Sequence, residues 1–268
     1  MSVLDLGLRV PPRLPGWASR PWRLVERNLA SSRAGWLVII SGFFEPLFFL
    51  VALGIGVGAL VGDIDIGGRS VSYREFVAPA LLAAAAMNGP VYEAGNIFFK
   101  LKYARTYDGV LATPLSVRDV AFGELVYTLM RGAVYAFGFV CVMLALGLVA
   151  SPWAILAVPA SVLVCAAFGA AALYGTTLMR TWADFAVIEL CTLPMFLFSA
   201  TFVPAAEYPE AARWLLPLTP LYHGVELLRA FTLGDVGPLV LANVTYLAAM
   251  TVVFYALADR RLAQLLLR

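Results

Sequence analysis

The sequence predicts an all-α, polytopic membrane protein with six transmembrane helices, and three observations support that prediction. Six stretches of the 268-residue chain are apolar over about the 20 residues that a bilayer-spanning helix needs. The composition is 62% hydrophobic and 13% charged, whereas a typical soluble domain has about 25% charged residues. Basic residues also collect at alternate ends of the apolar stretches. The membrane therefore takes most of the chain and leaves no room for a soluble catalytic domain.

The predicted spans follow one another with short connections. In chain order they are Trp36–Val61, Phe76–Phe99, Val120–Ala150, Trp153–Met179, Phe185–Val203 and Pro238–Ala258. Lys and Arg cluster before span 1 and after spans 2, 4 and 6, which places these segments in the cytoplasm by the positive-inside rule. An even number of spans likewise puts both termini on one side. Residues 36–258 are thus predicted to form the membrane domain, and residues 259–268 a cytoplasmic tail. These basic residues set topology, so no nucleic-acid partner is expected.

The N-terminal region, residues 1–35, is predicted to be cytoplasmic and to contain an interfacial helix from about Arg20 to Arg33. Trp22, Val25 and Leu29 recur at helical spacing among arginines. This pattern is typical of a helix that lies among the lipid headgroups with its apolar face toward the bilayer. The alternative is that the arginines only set the orientation of span 1.

The second span is the least suited to lipid. Its second half contains Asn88, Pro90, Tyr92, Glu93 and Asn96. Proline kinks a helix, and in lipid the carbonyl that it frees needs a protein or water partner. We therefore expect this half to face protein or a wet cavity.

Three further ionisable residues lie deep in predicted spans, namely Glu45, Arg131 and Glu189. Charges at such depths are rare and are usually functional or paired. At about 1.5 Å per residue, Glu45 and Arg131 lie about 14 and 16 Å from the cytoplasmic side. We predict an ion pair between these two residues, with Glu189 as the rival partner of Arg131. Helix packing and a role in lining a substrate path both remain open for the pair.

The cytoplasmic loop 100–119 mixes charges with apolar residues such as Leu101, Tyr103 and Tyr107. These side chains need burial, so we predict a short helix on the cytoplasmic face that is available to a partner.

The segment between spans 5 and 6, residues 204–237, is predicted to lie on the outer side of the membrane. Prolines interrupt it, yet it is strongly apolar, and Leu221–Leu233 can form an amphipathic helix. A helix of this length is too short to span the bilayer, so a re-entrant or interfacial hairpin is expected.

Neither a metal site nor a catalytic site is predicted. Cys141, Cys165 and Cys191 lie in apolar spans without paired spacing, and His223 is the single histidine. Core packing is the expected role of the cysteines and local hydrogen bonding that of His223. An intramembrane enzyme acting on lipids is the alternative class, but His223 lies outside the predicted spans, and Asp108 and Asp119 are dispersed rather than clustered at the end of a span.

Two parts of the chain resemble the permease subunits of type-2 ABC exporters. The first reads Tyr107-Asp108-Gly109-Val110-Leu111-Ala112-Thr113-Pro114-Leu115-Ser116, followed by Asp119 and Gly123-Glu124-Leu125. The second runs from Pro194 to Pro204 and continues in 216–221 and in Leu227-Leu228-Arg229. The most similar branch is the nodulation-factor (lipo-oligosaccharide) exporter type, with daunorubicin-type drug exporters close by.

The resemblance implies a half-transporter that works with other chains. Two permeases, identical or related, would dimerise in the bilayer, and each would dock a cytosolic ABC ATPase, giving two ATPase copies. The chain has no Gly-x-x-x-x-Gly-Lys-[Ser/Thr] phosphate loop. ATP and Mg are therefore expected on the partner, with no cofactor on this chain.

The resemblance also implies which residues serve transport. The coupling helix maps to about Lys100–Leu115. The residues expected to couple to the ATPase are Tyr103, Arg105, Tyr107, Asp108, Thr113, Pro114 and Leu115, and those of the conduit are Glu45, Asn88, Tyr92, Glu93, Asn96, Arg131 and Glu189. The expected activity is outward transport of an amphiphile (lipo-oligosaccharide, glycolipid or lipid-linked saccharide) across the bacterial plasma membrane. A multidrug exporter of the same fold is the alternative.

Overall fold

The structure, a computed structural model, describes residues 19–32, 36–66 and 68–267, and most of them are helical. The N-terminal region is therefore described only over Ser19–Ser32. The remainder of the predicted region 1–35, together with Arg268 of the predicted tail, lies outside the described residues.

The described chain is built from helices in sequence order. The longer ones are α1 (Ser19–Ser32), α2 (Trp36–Ala52), α3 (Tyr73–Lys102), α4 (Thr106–Leu111), α5 (Val117–Ala145), α6 (Ala157–Leu178), α7 (Phe185–Leu197), α8 (Pro220–Leu233) and α9 (Leu239–Leu266). A π-helical turn at Leu53–Val57 and a helical turn at Gly58–Val61 extend α2. Shorter turns lie at Pro152–Leu156, Trp182–Asp184, Ala205–Glu207, Glu210–Arg213 and Leu216–Leu218.

Four helical segments of the described chain are long and apolar enough to cross a membrane. They are Phe44–Val61, Val117–Ala145, Pro152–Leu178 and Leu239–Leu266, which correspond to predicted spans 1, 3, 4 and 6. At the place of span 2, α3 has 30 residues and is about 45 Å long, but it carries the polar half noted above. At the place of span 5, α7 has 13 residues, fewer than the about 20 of a full span. The chain is thus a helical, multi-pass membrane protein, and the count of six spans stays a prediction.

The all-α prediction is wrong at the connection between α2 and α3, where the chain forms a β-hairpin. Strand β1 (Asp63–Ile66) pairs antiparallel with β2 (Arg69–Ser72), and Ile64 faces Val71. Strand β1 alternates polar and apolar residues, and a Gly-Gly pair separates it from β2, which is a sequence signal for a two-residue hairpin turn. Gly68 has a φ of 85°, in the left-handed region that favours glycine.

The core lies where α3, α6 and α8 meet. Gly224 of α8 faces Val164 of α6, and a Cβ atom on Gly224 would approach Val164 Cγ2 to 3.0 Å. Arg229 of α8 is buried, donates to the carbonyl of Ala200 at 3.0 Å and lies 3.9 Å from the centre of the Phe76 ring. The helix predicted at Leu221–Leu233 is confirmed, and it packs into the bundle.

The local role predicted for His223 is confirmed. Its Nδ1 lies 2.8 Å from Asn243 Oδ1, and its Nε2 lies 2.8 Å from the carbonyl oxygen of Pro217. The imidazole also stacks on Tyr246, with ring centres 3.9 Å apart. His223 therefore ties α8 to α9.

The cysteines differ from one another. Cys165 is buried as predicted, but core packing is wrong for Cys141 and Cys191, which are exposed, because they lie on outward faces of α5 and α7. Within the described ranges, no group of three or more His, Cys, Asp or Glu residues could hold a metal ion.

Candidate functional site

A cavity of about 790 Å³ opens between α2, α3, α5 and α7. Its volume lies within the range of about 300–1,000 Å³ that is usual for small-molecule sites. The residues predicted for the conduit all line it: Glu45, Asn88, Tyr92, Glu93, Asn96, Arg131 and Glu189. The apolar part of the cavity lining includes Phe49, Phe139 and Phe196. The structure thus brings together residues that the sequence places on four separate segments.

The ion pair predicted between Glu45 and Arg131 is wrong. Nη1 of Arg131 donates to Glu93 Oε2, and Nη2 donates to the Tyr135 hydroxyl at 3.3 Å. Glu93 is only 3% exposed, and the same carboxylate oxygen accepts from Asn96 Nδ2 at 3.2 Å. Equal depth in the membrane did not identify the partner, because the rotation of each helix about its axis decides which side chains meet.

A second carboxylate, Glu124 of α5, is fully buried and joins four helices. It accepts from Lys100 Nζ of α3 at 2.9 Å, from Asn28 Nδ2 of α1 at 2.9 Å and from the Tyr107 hydroxyl of α4 at 3.0 Å. Lys100 Nζ also lies 3.8 Å from Glu93 Oε1. The Glu124 contacts are therefore continuous with the ion pair on the cavity wall.

We call this set the buried charge network. Its members are Asn28, Glu93, Lys100, Tyr107, Glu124 and Arg131. Two carboxylates face two cations, so the charges balance. Removing one partner of a buried pair costs about 3–5 kcal/mol, because the other charge is left uncompensated. The network therefore holds α1, α3, α4 and α5 in one arrangement.

The phenol of Tyr107 keeps its proton in this network. Burial, followed by the negative charge of Glu124, raises the pKa of Tyr107 well above its usual value because both disfavour the phenolate. The hydroxyl accordingly acts as a hydrogen-bond donor to Glu124 at neutral pH.

Sequence reasoning missed Glu124, Asn28 and Lys100 as site residues. Glu124 stands in the Gly123-Glu124-Leu125 match, and Lys100 counts there as a basic residue that sets topology and as the first residue of the predicted coupling helix. One signal could have identified Glu124: it is an acidic residue inside the apolar stretch of predicted span 3, and such residues are rarely left without a role.

The short helix predicted in loop 100–119 is present as α4, but it is shorter than the range 100–115, and its cytoplasmic position stays a prediction. It begins after Arg105, which has a φ of 46°. The residues predicted to couple to an ATPase divide by exposure: Tyr103, Arg105, Asp108, Thr113 and Pro114 are exposed, Leu115 is half-buried and Tyr107 is buried. Placing the Tyr107 side chain at a partner surface is therefore wrong, because its ring packs against Leu24 and Val120.

The loop after α4 is shaped by its own side chains. Thr113 Oγ1 donates to the carbonyl of Val110 at 2.6 Å. Ser116 caps α5, and the Asp119 carboxylate accepts from the backbone N–H of Ser116 at 2.8 Å. This reciprocal cap satisfies backbone donors at the start of the helix, so the matched residues around it fix where α5 begins.

The helix predicted near Arg20–Arg33 is present as α1, and its position at the membrane interface stays a prediction. Gly123 of α5 allows it to pack closely, because a Cβ atom there would lie 2.8 Å from Leu24 Cδ2. Leu24 and Val25 are buried against the bundle, whereas Trp22 is 41% exposed. An apolar surface thus remains on the outer side of α1.

Comparison with protein families matches residues 21–233 to the ABC-2 type transporter. The matched range contains the cavity and the buried charge network. The chain belongs to the ABC-2 type transporter family. As an ABC-2 permease it is a membrane transport subunit and not an enzyme, and its family implies an ABC ATPase partner.

Individual relatives agree with the branch that the sequence motifs indicated. Nodulation protein J of Sinorhizobium fredii (strain NBRC 101917 / NGR234) is 28% identical over 246 residues, which are 90% of this chain and 92% of that protein. The protein of the same name from Rhizobium leguminosarum bv. trifolii is 29% identical over 259 residues, or 95% and 97%. The protein of that name from Rhizobium meliloti (strain 1021) is 27% identical over 224 residues, which are 82% of this chain and 83% of that protein. The resemblance to the nodulation-factor branch is confirmed.

Proposed function

We propose that this ABC-2 permease is the membrane subunit of an ATP-driven exporter that moves an amphiphile outward across the bacterial plasma membrane. The observation that carries the proposal is the buried charge network, since it connects the exposed helix α4 to the wall of a large cavity. The similarity to Nodulation protein J supports a lipo-oligosaccharide or related glycolipid as cargo.

The proposed topology has six spans and two cytoplasmic termini. Helix α3 is long enough to cross the bilayer, and α7 would do so together with the irregular segment that follows it. None of the α7 residues is buried, and Val187, Leu190 and Leu193 are exposed. Such a face suits contact with a second permease copy. We infer a dimer of permeases with two ATPase copies, on which ATP and Mg are bound.

The mechanism follows from what α4 can and cannot do. ATP-driven closure of the ATPases would press on the exposed side of α4, where Arg105 and Asp108 lie. Tyr107 prevents α4 from moving alone, because it is buried and bonded to Glu124. The displacement would reach α3 and α5, which carry Glu93 and Arg131 on the cavity wall, and so change the cavity's access.

An export assay tests the proposal. A strain lacking the gene would be complemented with the wild-type chain, and its glycolipids would be quantified by mass spectrometry in intact cells and in the medium. We expect one amphiphile to accumulate inside the deletion strain and to leave the complemented one. An unchanged inventory, or ATP hydrolysis by the isolated chain, would reject an ATP-driven glycolipid exporter.

A companion experiment tests the partner. The tagged chain, solubilised in mild detergent, should copurify with a cytosolic ABC ATPase. Asp108→Lys should reduce that recovery, whereas Asp235→Lys, a change of equal charge beyond α8, should leave it intact. Equal recovery with both variants would place the docking surface elsewhere.

A further inference from the structure

The cavity carries an excess of negative charge on one side. Glu93 is neutralised by Arg131, and Glu124, behind it, by Lys100. Glu45 and Glu189 also line the cavity. Among the residues whose side chains the structure describes, neither of these two carboxylates has an ion pair. Among the described residues that line the cavity, Arg131 is the one cation, and its partner is Glu93 rather than either of these two carboxylates.

Both carboxylates lie on the wall of the same cavity. Glu45, Tyr92 and Glu189 all line it, although they belong to α2, α3 and α7. Phe49 and Phe196 line the same cavity, with ring centres 6.4 Å apart in edge contact. Carboxylates beside aromatic faces are the combination that recognises ammonium groups.

The charges on the cavity wall determine whether the cavity attracts a cationic or an anionic ligand. Glu45 and Glu189 are exposed on the wall of one cavity, and like charges that share a cavity repel each other. A cation placed between them relieves this repulsion, and low-dielectric walls strengthen the attraction. An anionic head group would meet repulsion instead, because Arg131, the cation of the described cavity lining, is already paired with Glu93.

We propose that the cavity selects an amphiphile whose head group carries a protonated amine. Glu45 and Glu189 hold the ammonium group, and the phenylalanine side chains receive the apolar part. This selectivity rests on the proposed function, because it describes the cargo of the same cavity.

Binding of three probes that share one alkyl chain tests the selectivity. The purified full-length permease, in nanodiscs of uncharged phosphatidylcholine, is titrated with dodecylamine, dodecyl maltoside and dodecyl sulfate, and binding to protein-free nanodiscs is subtracted. We expect dodecylamine to bind at least about tenfold more tightly than dodecyl sulfate, with dodecyl maltoside between them.

Matched variants assign the preference to the two carboxylates. In Glu45→Gln/Glu189→Gln, which keeps side-chain size, the ratio of amine to sulfate affinity should fall about tenfold. Glu207→Gln/Glu210→Gln makes the same charge change at two exposed outer positions and should leave the ratio unchanged. Size-exclusion profiles and melting curves identify any variant that misfolds, and the single variants then give the same comparison.

The outcomes separate this inference from the exporter proposal. Binding without head-group preference, or a preference that survives in Glu45→Gln/Glu189→Gln, overturns the inference and leaves the exporter proposal standing. Failure of all three probes to bind overturns the inference, and the glycolipid inventory of the deletion strain then decides the exporter proposal separately.

Discussion

The buried charge network and the two cavity carboxylates without an ion pair, Glu45 and Glu189, use the same residue type in opposite ways. Glu124 is fully buried and accepts from Lys100, Asn28 and Tyr107, so it joins helices. Glu189 lines the cavity and is exposed, so its charge is available to a ligand. Residue type alone therefore does not separate a structural glutamate from a binding one. Burial and partners separate them.

The largest effect is expected from breaking the network at its centre. Glu124→Leu leaves the ammonium group of Lys100 without its closest carboxylate, and should lower the free energy of unfolding by about 3–5 kcal/mol. Thermal unfolding in detergent measures the change. Glu124→Leu/Lys100→Leu should be less destabilised than the single variant, and Glu207→Leu should differ from wild type by less than about 0.5 kcal/mol. Equal losses for Glu124 and Glu207 would contradict the comparison.

The next prediction tests the ion pair of Arg131. A double-mutant cycle on Arg131→Met and Glu93→Gln should give an interaction energy of about 0.5–3 kcal/mol, because their side chains are in direct contact. The same cycle on Arg131→Met and Glu45→Gln should give a value near zero. The free energy of unfolding supplies both numbers. A larger interaction energy for the Glu45 cycle would restore the partner that membrane depth suggested.

A smaller effect is expected at the anchor of α4. Tyr107→Phe removes only the hydrogen bond to Glu124, and bonds to charged groups contribute about 1.5–3 kcal/mol. Because the folded-state pKa of Tyr107 is raised, its contribution is present below the unfolded value of about 10 and is lost as pH rises through the folded value. As the pH rises from neutral to alkaline, the melting temperature should therefore fall less steeply for Tyr107→Phe than for wild type. Parallel curves would show that Tyr107 does not carry this dependence.

The smallest change in stability is expected on the exposed side of α4. The Arg105–Asp108 pair is separated by 3.4 Å and is largely exposed, and exposed pairs contribute about 0–1 kcal/mol. Arg105→Ala should therefore melt close to wild type while weakening copurification of the ATPase. Normal ATPase recovery together with a large loss of stability would reverse the roles assigned to Arg105 and Tyr107.

Much of the site could be found from sequence, but its pairing could not. The polar half of predicted span 2 is expected to face protein or a wet cavity, and Asn88, Glu93 and Asn96 do line the cavity. Their partners lie on other segments of the chain, and no local pattern encodes which helix faces which. The β-hairpin is a different case. The alternation in β1 and the Gly-Gly pair are sequence signals for a hairpin, yet the apolar stretches on either side led to an all-helical prediction.

The sequence by itself determined that this chain is a helical membrane protein, that one half of α3 is polar and that a short helix, α4, follows α3. The reason is local: in lipid, each apolar segment must satisfy its own backbone hydrogen bonds, which a helix does. Only the tertiary structure decided that Arg131 pairs with Glu93, that Glu124 is a buried junction and that Tyr107 turns inward. Those outcomes depend on helix rotation and on close approaches such as that of Gly123 to Leu24, which only the packing of the helices determines.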